Sequence, residues 1–186
     1  LAGYHPNPST KNTRLSVFAG FGTLWFMSLA YAGFSLASTA SDFAQQGNWE
    51  EEVRFPFEEG ALLSMHDAGI AATIDEWHME DGQIHAPIVA FELVASEDSL
   101  AKWHCQYSAQ GLTRRTAYYR AKRARVRVEH NRSEVVLWDN ISFPEEDGFR
   151  GQHAHVTLAV PKSVPFAMNE DVAMALGPLW SERFTD

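Results

Sequence analysis

The chain is 186 residues long, 45% hydrophobic and 12% aromatic, with a formal net charge of −9 at pH 7. That acidic balance argues against nucleic acid as a main partner, because phosphates call for a basic face. A single cysteine, Cys105, excludes an internal disulfide, so the fold rests on a hydrophobic core.

Charge is unevenly distributed. Residues 1–40 hold no Asp or Glu and two basic residues, Lys11 and Arg14, whereas all 24 acids come later, from Asp42 on. An uncharged run at 15–40 separates the two compositions. As a helix, about 22 of these residues rise roughly 33 Å, enough for a bilayer core. Basic residues before the run, and Glu50, Glu51 and Glu52 after it, place the N-terminus in the cytoplasm. The organisation expected is a cytoplasmic tail at 1–14, a transmembrane helix at 15–40 and an outer domain at 41–186. A cleaved signal peptide competes, with Ser38-Thr39-Ala40 as a small-x-small site. The run exceeds the roughly 7–15 apolar residues of a signal core, which favours an anchor. Small residues at helical spacing (Ser16/Gly20, Ser28/Ala32, Gly33/Ala37) let another helix approach closely, and Gly20 and Gly33 are the expected helix–helix contacts.

Beyond a polar juxtamembrane stretch at 41–48, residues 53–57 read as a short strand whose Pro56 marks an edge or an end. Glu58-Glu59-Gly60 turns into a strand at 61–66, and Asp67-Ala68-Gly69 into another at 70–77. Glu80-Asp81-Gly82 precedes one long apolar strand at 84–94, and Ser96-Glu97-Asp98 separates it from a strand at 100–108. A helix is expected at 113–122, where Ala117, Ala121 and Ala124 form a small-residue face suited to a sheet. The period then changes to two, with Arg123, Arg125, Arg127 and Glu129 alternating against Ala124, Val126, Val128 and His130. Asn131-Arg132-Ser133 turns into a strand at 134–138. Residues 152–160 put Ala154, Val156, Leu158 and Val160 on one face and His153, His155 and Thr157 on the other, before Pro161 stops the strand. Extended structure resumes at 164–168 and a short helical turn is expected at 171–176. The fold class is therefore one transmembrane helix followed by a mainly β domain, a roll, sandwich or solenoid-like form, with one short helix.

The segment from the alanine-rich helix through the basic strand to Phe149-Arg150-Gly151-Gln152, and on to Pro161, carries a pattern F-R-x-Q-x-x-x-V-x-L-x-V-P. It resembles the terminal region of PspC-domain (phage shock protein C type) bacterial membrane proteins, with looser support back to Thr113. The PspC motif itself does not occur in these residues. The resemblance implies a Gram-negative host, a β-rich periplasmic region and no established catalysis. Within the motif, Arg150 beside an aromatic is expected to form a structural ion pair.

Chemical motifs are sparse. Of the eight histidines, His153 and His155 at i and i+2 on a strand face are weak metal candidates, as is His104 beside Cys105. A site needs three or four convergent ligands, and no C-x-x-C, H-E-x-x-H or H-x-x-E-H spacing occurs, so no metal and no cofactor are expected. A Cys105 nucleophile paired with His78 or His130 lacks an activating signature. The acidic runs at 50–52, 58–59 and 145–147 match no calcium loop and read as solvated turns. Seven basic residues between Arg114 and Arg127 read as the polar side of a helix and strand, the alternative being contact with anionic lipid. The tryptophans Trp49, Trp103, Trp138 and Trp180 are expected to be shared between the core and a partner interface.

The function expected is a non-catalytic, single-pass accessory subunit of a larger inner-membrane complex, such as a respiratory or photosynthetic assembly. Its partners are integral membrane proteins and the lipid bilayer. The alternative is an envelope sensor or regulator that binds a periplasmic ligand or partner.

Overall fold

The structure, a computed structural model, describes residues 8–66 and 77–176, with side chains described for residues 18, 20–65 and 77–176. Two units result: Leu1–Ser41 and Asp42–Asp186.

The first unit is helix α1, Pro8–Ser41, of 34 residues. Proline suits its first position, where the backbone N–H would have no intrahelical acceptor. Every residue of 20–34 is exposed, and the apolar side chains surround the axis: Phe21 is 70% and Phe34 74% exposed. A helix apolar on all sides suits apolar surroundings, not one face on a core. The hydroxyls of Ser28 and Thr39 donate to the carbonyls of Leu24 and Ser35, satisfying themselves within the helix. Among the described residues no helix is long and apolar enough to cross a membrane. The span expected at 15–40 begins with Leu15, Ser16 and Val17, whose side chains lie outside the described residues. Gly20, Gly22, Ser28, Gly33 and Ser35 dilute the remainder.

The second unit is mainly β. Its first sheet is built on β6, Ala101–Gly111, which pairs antiparallel with β1, Gln45–Phe55, along both full lengths. On its other edge β6 meets β9, His153–Pro161, which pairs parallel with β5, Val89–Ser96. The second sheet centres on β8, Glu134–Pro144. One edge of β8 carries β7, Arg125–His130, across a bulge. The other carries β2, Ala61–His66, parallel to its first half and β4, Gln83–Ala86, antiparallel to its second. Strands β3, His78–Glu80, and β10, Phe166–Met168, end this sheet. Alternation supplies one core from both sheets: Trp103, Cys105, Tyr107, Val156 and Leu158 from the first, Leu63, Val135, Leu137, Ile141 and Phe143 from the second. The Tyr107 hydroxyl, buried between them, accepts from Val126 N at 3.2 Å.

Two expectations change. The strand placed at 53–57 starts at Gln45 and absorbs half of the stretch assigned to a juxtamembrane segment. Its polar residues are the outer face of an alternating strand, with Gly47, Trp49, Val53 and Phe55 inward. The single strand at 84–94 is two strands in different sheets, broken at Pro87. Proline cannot donate to a ladder, so the chain changes sheet there, with Ile88 N bonding to Ala86 O at 2.9 Å. The strand expected at 70–77 falls largely outside the described residues.

Helix α2, Arg114–Arg123, is capped by Thr113, whose side chain accepts from Thr116 N at 3.1 Å. Ala117, Ala121 and Ala124 are fully buried, as their spacing predicts. They meet glycines. A Cβ on Gly47 would lie 2.2 Å from Tyr118 N, and one on Gly111 2.8 Å from Ala117 N. Helix and sheet thus touch backbone to backbone. A second short helix, α3, Glu170–Leu176, buries Val172.

Candidate functional site

Two polar constellations stand apart from the core. The first is the β3–β4 hairpin. Asp81 (φ 49°) and Gly82 (φ 73°) are both left-handed, the signature of a two-residue type I′ turn. That turn sets the register, with Glu80 opposite Gln83 and His78 opposite His85. Residues 78 and 80 share a face by alternation, so His78, Glu80 and His85 project together. One ligand atom from each lies within 4.8 Å of the others. The imidazoles stack, 4.6 Å between centroids and 10° between planes, and His78 Nε2 is 4.0 Å from Glu80 Oε2. Burial, and then the neighbouring His78, hold His85 below the ordinary imidazole range. Behind it sits Asn140, 8% exposed, its amide nitrogen 3.5 Å from His85 Nδ1. His78 Nδ1 is buried with no hydrogen-bond partner.

The second is the outer face of the first sheet, where register lines polar residues in rows. Asn48, Ser108 and His153 form one row, and Glu50, Gln106 and His155 the next. The Ser108 hydroxyl lies 2.7 Å from His153 Nδ1, His155 Nε2 is 3.8 Å from Glu92, and His104 Nε2 is 3.4 Å from Glu50. A hydrogen bond from Arg54 holds the Glu52 carboxyl below its usual range. Between the strands lies an open depression of about 250 Å³ lined by Gln46, Asn48, Glu50, Gln106, Ser108 and the two histidines. Among the described residues one trio of His, Cys, Asp or Glu converges on a point, and it is the hairpin trio, not His153 and His155.

The other sequence candidates separate. Trp103 is in the core, 7% exposed. Trp49 is half-buried, edge-on to Tyr118 and covered by Lys122 at 4.8 Å, and Trp138 lies under Arg127 at 4.3 Å. Trp180 lies outside the described residues. No pair of these three described tryptophans is exposed; in the second unit, exposed aromatics that touch one another are Trp77 with Phe149, in edge contact at 4.6 Å, and Tyr118 with Tyr119. Gly20 and Gly33 have open space where a side chain would stand. Arg150 pairs with Asp42 at 3.2 Å, a half-buried bridge that also brings its guanidinium near the Phe43 ring.

The run at 145–147 is not simply a solvated turn. Asp147 is buried, and Arg123 reaches both it and Glu146 while Arg120 lies 3.9 Å away. Two of the seven basic residues at 114–127, Arg120 and Arg123, therefore belong to an internal ion network. Cys105 is fully buried, and burial pushes its thiol up to about 12, which withholds the thiolate a nucleophile needs.

The hairpin trio was missed because His78 and His85 are seven residues apart, a separation in no metal motif. The signal was the Asp81-Gly82 pair, about which the two histidines are placed symmetrically.

The model of a family described as the ToastRack domain found in some PspC proteins matches residues 79–177. A crystal structure of a putative cell adhesion protein from Clostridium sporogenes aligns over 65% of this chain and 45% of its own, at 12% identity and a TM-score of 0.30. At that score the likeness carries no argument. No curated protein matches.

Proposed function

Because the chain belongs to the ToastRack family found in some PspC proteins, we propose that it is a non-catalytic, single-pass accessory subunit of a larger bacterial inner-membrane complex. In this reading α1 packs among helices of other subunits, residues 1–14 lie in the cytoplasm, and the β domain covers the assembly on the periplasmic side. An energy-transducing complex, respiratory or photosynthetic, is a setting that suits such a subunit. The observation that carries the reading is α1 itself. Its apolar side chains are exposed on every side, and Gly20, Gly22 and Gly33 leave open space on its surface. Small residues of this kind let helices in a membrane approach closely. Lys11 and Arg14 in the first two turns of α1, and acids only after it, support the orientation.

Native membranes solubilised in mild detergent should carry the chain at the mass of a complex, with the same integral proteins in each preparation. Migration as a free monomer would overturn the subunit reading. Protease added outside intact spheroplasts should digest the β domain, and full protection would reverse the topology. An envelope sensor is the second reading, favoured by the depression beside His153 and His155. A monomer that gains thermal stability from a periplasmic small molecule would be its signature.

A further inference from the structure

We propose that His78, Glu80 and His85 form a site for one divalent zinc-class cation on the β3–β4 hairpin. The donor set is two imidazoles and a carboxylate, with no thiolate, which suits a borderline cation of the zinc series and not calcium or magnesium. Three protein ligands leave a fourth, tetrahedral position for water or for a donor from a neighbouring molecule.

The geometry is close to what such an ion requires. Bonds of roughly 2.0–2.2 Å in a tetrahedron place ligand atoms about 3.4 Å apart. The three donors here already lie within 4.8 Å of one another, so contraction is by side-chain rotation, with the backbone fixed by the turn. The rotation is available because side-chain exposure is 38% at His78 and 70% at Glu80. The two rings face each other across the ladder, 4.6 Å apart and nearly parallel.

Asn140 completes the arrangement as a positioning residue. A ligating histidine usually anchors its second nitrogen on an oxygen acceptor, which selects the tautomer. The Asn140 amide is buried 3.5 Å from His85 Nδ1. With the amide turned about its last torsion, Oδ1 accepts the Nδ1–H of His85 and leaves Nε2 free for the ion. His78 adds a buried ring nitrogen with no hydrogen-bond partner, an unfilled coordination or hydrogen-bonding position at the same place.

The test uses the full chain in detergent micelles, loaded with zinc sulfate and dialysed, with cobalt(II) as the spectroscopic probe. The proposal predicts about one zinc per chain, a tetrahedral cobalt visible spectrum, and two imidazole scatterers in zinc X-ray absorption. His85→Ala should lose the metal, with affinity down by more than about 100-fold. Asn140→Leu should weaken it by roughly 10–100-fold, as loss of an orienting partner does. Circular dichroism checks that each variant keeps its sheet, and Glu80→Gln serves if His85→Ala does not fold. No stoichiometric zinc in the wild-type chain would overturn the proposal. So would zinc that survives in His85→Ala or Glu80→Gln but is lost in His153→Ala with His155→Ala, which would place the ion on the other sheet face.

Discussion

The two longer helices of this chain use small residues in opposite ways. In α2, the backbone around Ala117 is driven against Gly47 and Gly111 until helix and strand backbones touch, and no space for a Cβ remains. In α1, Gly20, Gly22 and Gly33 have nothing within 4 Å. The same compositional signal thus marks a packed contact in one case and an open surface in the other. The partners of α2 lie in the same chain, Gly111 six and Gly47 seventy residues before Ala117, and loop-closure cost grows only slowly with separation. Close packing of small residues is a property of pairs of surfaces, and in the proposed reading the second surface for α1 belongs to another subunit.

The sharpest break of this comparison is Gly47→Leu. Its first side-chain atom would sit 2.2 Å from a main-chain nitrogen, a neighbour that cannot swing aside. Overpacking costs about 1–3 kcal/mol where side chains can adjust, so a loss at or above the top of that range is expected in urea unfolding. An unchanged midpoint would show that α2 is not held backbone to backbone.

Next is Asp147→Ala, which leaves Arg120 and Arg123 without their buried carboxylate. Breaking a fully buried pair costs roughly 3–5 kcal/mol. Arg123 is 43% exposed and keeps Glu146, so about 2 kcal/mol is the expected loss. A neutral result would mean that the loop before β9 is held by its other bonds, such as those of Gln152 to Gly148 O and Arg150 N and of Arg150 to Asp42.

A smaller, pH-dependent effect should come from β6. Burial raises the Cys105 thiol from 9.0 to about 12 and raises the Tyr107 hydroxyl as well. An unfolded chain releases these protons first, so between pH 9 and about 12 the native state binds more protons than the unfolded state. Stability therefore falls as pH rises through that window and is unaffected by these groups below it. Cys105→Ala should flatten part of the alkaline decline. In the wild-type protein, a thiol reagent at pH 8 should label Cys105 only after denaturant is added.

How much of this was legible in the sequence depended on whether the informative residues were neighbours in the chain. The alternation of His153 to Val160 and the alanine spacing of α2 are local, and both elements stand where the pattern put them. The extent of β1 was obscured because its outer face is uniformly polar, so Gln45 to Asn48 look like linker until a partner strand is known. The break at Pro87 was readable from proline chemistry, yet the apolar run on both sides masked it. Asp147 looked like any acid in a turn; its partners lie 24 and 27 residues earlier, on a helix whose docking angle no local pattern states. The histidine trio occupies an intermediate case. Its geometry follows from one Asp-Gly turn and the strict period of two, so hairpin register was available as soon as that turn was recognised.

The claim that α1 is an unpaired contact surface is tested most directly by Gly20→Leu with Gly33→Leu. Neither residue has a neighbour in the described chain, so the account predicts an unchanged urea midpoint for the β domain. In mild detergent the double variant should separate from the integral proteins proposed to accompany the wild-type chain, because added bulk keeps partner helices apart. Undiminished co-purification of the double variant, with the domain still folded, would contradict the account.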